Sequence, residues 1–252
     1  MSETVLQAEH LKKVFNKGKK AVTAVEDVSF SLEQGECLAI VGESGSGKST
    51  IARIVTRLLK DAEGRVSLLG EDITNVKGRD LRKVYREIQM VFQMPMESFD
   101  PRRTLGDGIG ESLRNMGLRK KETRKKVEEL LITCGLTPEF ADRYPHEVSG
   151  GQCQRAAIAR ALAVDPALLI CDEATSALDV TVQMQIVQLL RNLQKERGLS
   201  LLMITHDLAL AQALSDRILV MYHGRIIEEG TPDEIIGNPK EEYTKKLIDS
   251  VI

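Results

Sequence analysis

A glycine-rich stretch, GESGSGKST at residues 42–50, constrains the fold of this chain more than any other feature of its sequence. It follows a short apolar run, ECLAIV, and it leads into STIARIVTRLL, which has helical spacing. Glycines let a backbone approach phosphate oxygens closely, and the first turn of a helix presents free N–H groups to an anion. A strand, a glycine-rich turn and a helix in this order therefore predict a phosphate-binding loop.

The residues of this loop have predicted roles. The fixed positions of the pattern G-x-x-x-x-G-K-[ST] are occupied by Gly42, Gly47, Lys48 and Ser49. We expect Lys48 to reach the β- and γ-phosphates of a nucleotide, and the Ser49 hydroxyl to be a Mg²⁺ ligand. The other predicted members of the phosphate cradle are Ser44, Gly45 and Thr50.

Two adjacent carboxylates end a second apolar run, ALLICDE. Asp172 is placed to bind Mg²⁺ directly or through water, and Glu173 to polarise an attacking water. Two acidic residues can also do no more than cap a strand, but their combination with a phosphate loop favours hydrolytic chemistry.

The order of apolar runs predicts an α/β fold. ECLAIV, ALLICD and SLLMIT are continuously apolar, as expected of parallel strands buried on both faces. VLQAEHL and AVEDVSFSL alternate in part and predict a flanking antiparallel β layer. Residues 98–162 are mostly helical in pattern. We therefore predict one 252-residue unit with a P-loop nucleotide-binding core (1–97 and 163–252) and an inserted α-helical subdomain (98–162).

A second helix start carries small residues, in the sequence VSGGQ. Ser149, Gly150 and Gly151 precede a helix there, which is again an anion-binding arrangement. Two such helix starts in one chain suggest that one binds the nucleotide of its own subunit and the other binds the nucleotide of a partner. Gln93 and His206, each near an apolar run, are by themselves more typical of structural residues.

Composition excludes several classes of protein. The formal net charge is -2, aromatic residues make up 4% and Trp is absent, so the chain lacks the basic balance and the stacking residues of a nucleic-acid binder. No targeting signal and no membrane-spanning run are visible, which predicts a cytoplasmic protein. The four cysteines are scattered, so we expect free thiols rather than disulfides or a zinc site.

Taken in order, Phe15, GESGSGKST, Gln93, VSGGQ, LLICDE, SALD and His206 make the chain resemble the ABC ATPase family over almost its full length. That resemblance implies Mg²⁺-dependent ATP hydrolysis to ADP and phosphate. It also implies an adenine-stacking role for Phe15, and a Mg²⁺-contacting, membrane-coupling role for Gln93. It implies that His206 is the switch histidine and Asp179 the D-loop aspartate. The implied signature consists of Ser149, Gly150, Gly151 and Gln152. Val148 stands where the family usually has Leu, an apolar exchange of small expected effect.

Longer stretches, among them ADRYPHEVSGGQCQR, SFDPRRTL and NPKEEYTKKLI, resemble the second ATPase of dipeptide, oligopeptide and nickel importers. The resemblance implies a paired ATPase subunit (heterodimer or homodimer), two membrane permease subunits and an extracellular solute-binding protein. It places the chain on the inner face of the cell membrane. The cargo stays open among peptides, nickel and metal chelates.

Two other functions remain at this stage. One is an ABC ATPase that serves a soluble complex or acts on nucleic acid; the other is a nucleotide-binding module without turnover. The joint presence of Lys48, Asp172, Glu173 and His206 argues against the second.

Overall fold

The computed structural model describes residues 3–17, 20–174 and 178–249. The strands in this part of the chain are β1 Thr4–Lys17, β2 Lys20–Glu33, β3 Cys37–Val41, β4 Glu63–Leu68, β5 Glu71–Asp72, β6 Ile88–Val91, β7 Leu168–Asp172, β8 Ser200–Thr205, β9 Arg217–Tyr222 and β10 Arg225–Gly230. The α-helices are α1 Lys48–Val55, α2 Gly78–Glu87, α3 Leu105–Asn115, α4 Lys120–Thr133, α5 Gly150–Leu162, α6 Val180–Arg197, α7 Leu208–Leu214, α8 Pro232–Gly237 and α9 Glu242–Asp249. Short 3-10 turns span Pro95–Ser98, Pro138–Asp142 and Pro145–Glu147.

The strands form two sheets. A six-stranded sheet has the order β10-β9-β3-β8-β7-β6, and all of its neighbouring pairs are parallel except β10 with β9. A four-stranded antiparallel sheet has the order β2-β1-β4-β5. The predicted α/β core with a flanking antiparallel layer is confirmed.

The central strands are buried on both faces, which explains why they read as continuous apolar runs. Along β3, Leu38 and Ile40 join a hydrophobic cluster with the antiparallel sheet and α1. Cys37, Ala39 and Val41 point the other way, into a second cluster with the helices that follow β6. The two-residue period of a strand thus divides the core into one cluster on each face of the six-stranded sheet.

The segment between β6 and β7 is helical, as the sequence pattern predicts. Apolar residues of α3, α4 and α5, such as Ile109, Leu130 and Ile158, are fully buried. They belong to the same cluster as the strand residues Leu169 and Leu201. Because this core is continuous with the sheet, the boundary of a separate subdomain at 98–162 stays a prediction.

Several elements lie outside the predicted pattern. Helix α2 has apolar residues at helical spacing, Leu81, Val84 and Tyr85, but Val84 is its one buried residue and no helix was predicted there. Strand β6 has four residues, which is too short for a period to show. Strand β6 leads directly to Gln93, so the sequence pattern did not indicate how that residue is positioned.

Two further properties concern the described residues as a whole. The thiols of Cys37, Cys134, Cys153 and Cys171 are all buried within the fold. Burial raises the pKa of Cys171 to about 12, which keeps this thiol protonated and unreactive. In the described ranges, no helix has the length and apolar character that a membrane crossing requires.

Candidate nucleotide site

The predicted site residues follow strands that end at one edge of the six-stranded sheet. Strands β3, β8, β7 and β6 are neighbours and run parallel, so their carboxyl ends lie side by side. The segments that follow these ends hold the 42–50 loop, His206, Glu173 and Gln93. In open parallel sheets, ligands bind outside the carboxyl ends of the strands.

The Lys48 ammonium group points into the glycine-rich loop. Lys48 is the first residue of α1 and is 4% exposed. Its Nζ donates hydrogen bonds to the carbonyl oxygens of Gly42, at 2.6 Å, and Glu43, at 2.8 Å. Burial lowers the pKa of Lys48, while the nearby carboxylates of Glu173 and Asp172 oppose that shift. The loop therefore holds a positive charge at the helix N-terminus, where it adds to the helix dipole.

The loop is held close to the β1–β2 ribbon at Gly47. This residue caps α1 with φ +111°, and a Cβ atom built on it would lie 2.1 Å from the carbonyl oxygen of Ala24 on β2. No side chain fits in that space, so the close approach requires glycine. Ser44 and Gly45 are exposed at the outer part of the loop. The N–H of Thr50 donates to the Gly47 carbonyl oxygen at 3.0 Å as α1 begins.

Ser49 and Asp172 meet directly. The Ser49 hydroxyl donates to Oδ1 of Asp172 at 2.8 Å, although 123 residues separate them in sequence. Asp172 is 8% exposed; burial raises its pKa, the Ser49 hydrogen bond opposes the shift and the Glu173 charge adds to it. A hydroxyl and a carboxylate oxygen are ligands that Mg²⁺ prefers, and a divalent cation would offset the cost of burying this carboxylate. The residues present therefore fit a Mg²⁺ site.

Glu173 and His206 form a second pair at the same edge. His206 Nδ1 lies 3.5 Å from Glu173 Oε1, and the Glu173 side chain is 17% exposed against 52% for His206. The Glu173 N–H donates to the Ile204 carbonyl oxygen at 2.9 Å, and its φ of +49° is unusual for a residue other than glycine. Strained backbone held by its surroundings is often found at functional positions.

Gln93 shares a cavity with the Ser49–Asp172 pair. The cavity has a volume of about 460 Å³, and Arg53 and Arg160 also line it. Sequence reasoning missed both arginines. Arg53 is four residues after Ser49 on α1, so helical spacing was a signal that would have placed the two on one face.

Arg160 lies on α5 and connects the signature helix to the segment after Gln93. Its guanidinium donates to the Ser98 carbonyl oxygen and stands 4.5 Å from the centre of the Phe99 ring. Burial lowers the pKa of Arg160, although the group keeps its charge at neutral pH. No local pattern distinguishes this arginine from others in the sequence.

The predicted signature residues form a helix cap of their own. Ser149 Oγ accepts a hydrogen bond from the Gln152 N–H, and Gln152 Oε1 accepts one from the Ser149 N–H at 2.9 Å, which is a capping box. Ser149 and Gly150 are exposed, and Gly151 is buried against Val182 of α6. The exposed corner thus leaves Ser149 and Gly150 open to a neighbouring molecule.

Asp179 caps the helix against which the signature packs. Its Oδ1 accepts from the Val182 N–H at 3.0 Å at the start of α6. Val180 is 75% exposed in the same turn. Ser176 and Ala177, which belong to the SALD motif, lie outside the described residues.

Phe15 lies on the ribbon that touches the phosphate loop. It pairs with Val22 in the β1–β2 register and is 38% exposed. Lys13 Nζ stands 5.5 Å from the centre of its ring. Because Ala24 of the same ribbon contacts Gly47, the structure places Phe15 on an element next to the loop.

Comparisons with known proteins agree with this geometry. The model of the ABC transporter family matches residues 25–176. The chain is 49% identical over 234 residues to the oligopeptide transport ATP-binding protein OppF of Salmonella typhimurium, covering 92% of this chain and 70% of that protein. It is 48% identical over 254 residues to OppF of Bacillus subtilis, covering 100% and 83%.

Among solved structures, the fold resembles the dimeric post-hydrolysis state of the ATP-binding cassette MJ0796 bound to ADP and Pi. The TM-score is 0.83, the identity is 32%, and the match covers 90% of this chain and 98% of that chain. The family model covers more than half of this chain, and both OppF proteins are more than 30% identical to it over more than nine-tenths of its length. This chain therefore belongs to the ABC transporter family and is one of its ATP-hydrolysing cassettes.

Proposed function

We propose that this ATPase is the motor subunit of a peptide importer. The support is the identity of 49% and 48% to two proteins named for oligopeptide transport, each matched over more than nine-tenths of this chain. Nickel and metal chelates, which the sequence leaves open, have no such support among these relatives. The cargo itself would be recognised by other subunits.

The observation that carries the catalytic part of the proposal is the contact between Ser49 and Asp172 beside the buried Lys48. It joins the phosphate loop to the end of β7 and brings a positive charge and two metal-ligand oxygens to one place. A bound Mg²⁺ would neutralise charge on the phosphates. Ser49 and Asp172 would hold that ion, and Gln93 in the same cavity would contact it or its water.

The remaining residues act on water and phosphate. Lys48 stabilises the negative charge that develops on the transferring γ-phosphoryl group. Glu173 orients and polarises the attacking water, and His206 at 3.5 Å positions the Glu173 carboxylate and contacts the γ-phosphate. Phe15 holds the adenine ring by stacking, next to the loop.

The proposed site is completed by a second subunit. Ser149 and Gly150 are exposed at a helix start, and we assign them, with Gly151, Gln152 and Asp179, to the nucleotide of the facing subunit. ATP binding would then close the interface and hydrolysis would reopen it. A dimer is also the state named for the solved cassette that this fold resembles.

The partners follow from this arrangement. We propose a paired ATPase, with a homodimer as the alternative, bound to two permease subunits on the inner face of the cell membrane. An extracellular solute-binding protein would deliver the peptide. Closure of the ATPase interface would switch the permeases between their inward-facing and outward-facing states.

The test is peptide uptake by liposomes that contain the permeases, the paired ATPase and this chain, with the solute-binding protein and a labelled peptide outside. Uptake should require Mg-ATP inside and should stop with Lys48→Ala. If the purified chain releases phosphate from ATP but never supports uptake with any permease pair, the importer assignment is wrong. If it binds ATP without releasing phosphate in any assembly, it is a nucleotide-binding module instead.

A further inference from the structure

Tyr243, a residue of helix α9, forms a hydrogen bond with the phosphate loop. The Glu43 N–H, inside the loop, donates a hydrogen bond to the hydroxyl oxygen of Tyr243 at 3.1 Å. The two residues are 200 positions apart in sequence. Tyr243 lies on neither the strand nor the helix that flank the loop, and none of the proposed catalytic roles involves it.

The contact acts on the same peptide unit that holds Lys48. The Gly42 carbonyl oxygen accepts from Lys48 Nζ at 2.6 Å, and the N–H of the next residue, Glu43, donates to Tyr243. Because a peptide bond is planar, its C=O and N–H point in opposite directions and rotate together. Tyr243 therefore fixes, from the outer side, the plane of the peptide whose carbonyl holds the ammonium group on the inner side.

Tyr243 is itself held in place on two sides. Its ring packs against the Tyr222 ring, with 4.0 Å between the ring centres. At the start of α9, the Glu228 carboxylate accepts hydrogen bonds from the N–H groups of Lys240, at 2.8 Å, and Glu241, at 3.2 Å. It also accepts one from the Thr244 hydroxyl at 2.5 Å.

The Glu228 carboxylate is a charged anchor for this helix. Burial would raise its pKa, but the hydrogen bonds from Lys240, Thr244 and Glu241 outweigh burial and leave the pKa below its ordinary value. The carboxylate thus stays ionised at the positive end of α9, which is a favourable position for a negative charge. The hairpin between β9 and β10 adds a neighbouring contact, since the Gly224 N–H donates to the Ser46 carbonyl oxygen at 2.9 Å.

We propose that Tyr243 is a positioning residue for nucleotide binding: its hydroxyl holds the Gly42–Glu43 peptide in the orientation that keeps Lys48 in the phosphate loop. The proposal rests on the nucleotide site of the proposed function and deepens it. Tyr243 acts before chemistry, by ordering the loop that receives the phosphates; once the phosphates are bound, their negative charge holds the Lys48 ammonium group in place. Its loss should therefore weaken nucleotide binding and leave the rate of the bound complex nearly unchanged.

The test is Tyr243→Phe, which removes the hydroxyl and keeps the ring against Tyr222. Calorimetry with Mg-ADP should give a Kd about two- to tenfold above that of the wild type, the range expected for one lost hydrogen bond. The KM for ATP should rise by a similar factor, with kcat within about twofold. Tyr85→Phe, which removes a hydroxyl from α2, is the matched control and should leave Kd unchanged.

A second variant tests the connection to the anchor. Glu228→Gln keeps the shape of the side chain but loses its charge, and it should raise Kd in the wild-type chain. In a Tyr243→Phe background the same change should add less than about twofold, because the hydroxyl through which it acts is gone. A smaller effect of Glu228→Gln in the Tyr243→Phe background than in the wild type shows that Glu228 acts through the Tyr243 hydroxyl. A general loss of stability would raise Kd equally in both backgrounds.

Three results would overturn the inference. They are an unchanged Kd in Tyr243→Phe, a fall in kcat of more than about twofold in that variant, and equal effects of Glu228→Gln in both backgrounds. Failure of the nucleotide site, the part of the proposed function on which the inference rests, looks different. In that case the wild-type chain itself would not bind Mg-ADP or release phosphate, whereas failure of the inference would leave wild-type binding intact.

Discussion

Replacement of Gly47 by Ala tests the close packing of the phosphate loop, and its effect follows from two geometric facts. The residue has φ +111°, a conformation that costs a side-chain-bearing residue about 1–3 kcal/mol. The added Cβ would also lie 2.1 Å from the Ala24 carbonyl oxygen and 2.7 Å from Met221 Cε. Relieving that overlap requires β2 or the start of α1 to move, at a cost of about 1–3 kcal/mol. We expect a total destabilisation of about 2–6 kcal/mol.

A matched control separates the two contributions. Gly35 has φ +73°, yet a Cβ there would meet no atom within 4 Å. Gly35→Ala should therefore cost only the conformational part, about 1–2 kcal/mol. For a chain of this size about 1 kcal/mol lowers Tm by roughly 2–4 °C.

The assay combines thermal unfolding with calorimetric titration of Mg-ADP. Gly47→Ala should melt below Gly35→Ala and should lose at least about tenfold in Mg-ADP affinity, since the displaced element carries Lys48. Gly35→Ala should bind as the wild type does. Wild-type affinity in Gly47→Ala would refute the reasoning, because it would mean that the loop does not need the close approach to Ala24.

Three further predictions concern named roles in the site. Lys48→Ala should reduce kcat for ATP hydrolysis by about 10²–10³, because it removes the charge that stabilises the transferring phosphoryl group; a wild-type rate of phosphate release would show that the loop assignment is wrong. Phe15→Ala should raise the KM for ATP, by an amount matching about 1–3 kcal/mol of stacking, and change kcat little; an unchanged KM would exclude Phe15 as the adenine contact. Gly151→Ala, whose Cβ would lie 2.4 Å from Val182 Cγ1, should lower Tm by about 2–12 °C, and Val182→Ala in the same chain should restore it; no recovery would argue that the glycine is not needed for packing against α6.

Much of the fold was predictable because its central strands have a distinctive composition. β3, β7 and β8 are buried at every position, and their apolar runs stand out against the polar segments around them. The 42–50 loop was predictable for a different reason: few arrangements other than phosphate binding need glycine and lysine in that pattern. The Ser49–Asp172 contact brings together two residues that were each predicted to be Mg²⁺ ligands.

The contacts that depend on distant partners were not predictable. Arg160 and Tyr243 carry no local signal, and their importance comes from the elements that the fold brings to them. Helix α2 was missed although Leu81, Val84 and Tyr85 have helical spacing, because charged residues fill most of this ten-residue segment and make its short apolar stripe easy to overlook. The roles of Phe15, Gln93 and His206 came from family resemblance, whereas that of Ser149, Gly150 and Gly151 came first from their place at a helix start; all of them stay predictions.

The central claim, that two subunits share each ATP, is tested most directly by light scattering of Glu173→Gln. Gln keeps the size of the side chain but is a poor base, so ATP should bind without being hydrolysed and should hold the closed interface by mass action. In Mg-ATP the variant should show a mass near twice the 28.0 kDa of one chain, or form the heterodimer when the paired ATPase is added, and it should be monomeric without nucleotide. A chain that binds Mg-ATP yet stays monomeric both alone and with its paired ATPase would contradict the shared-site account.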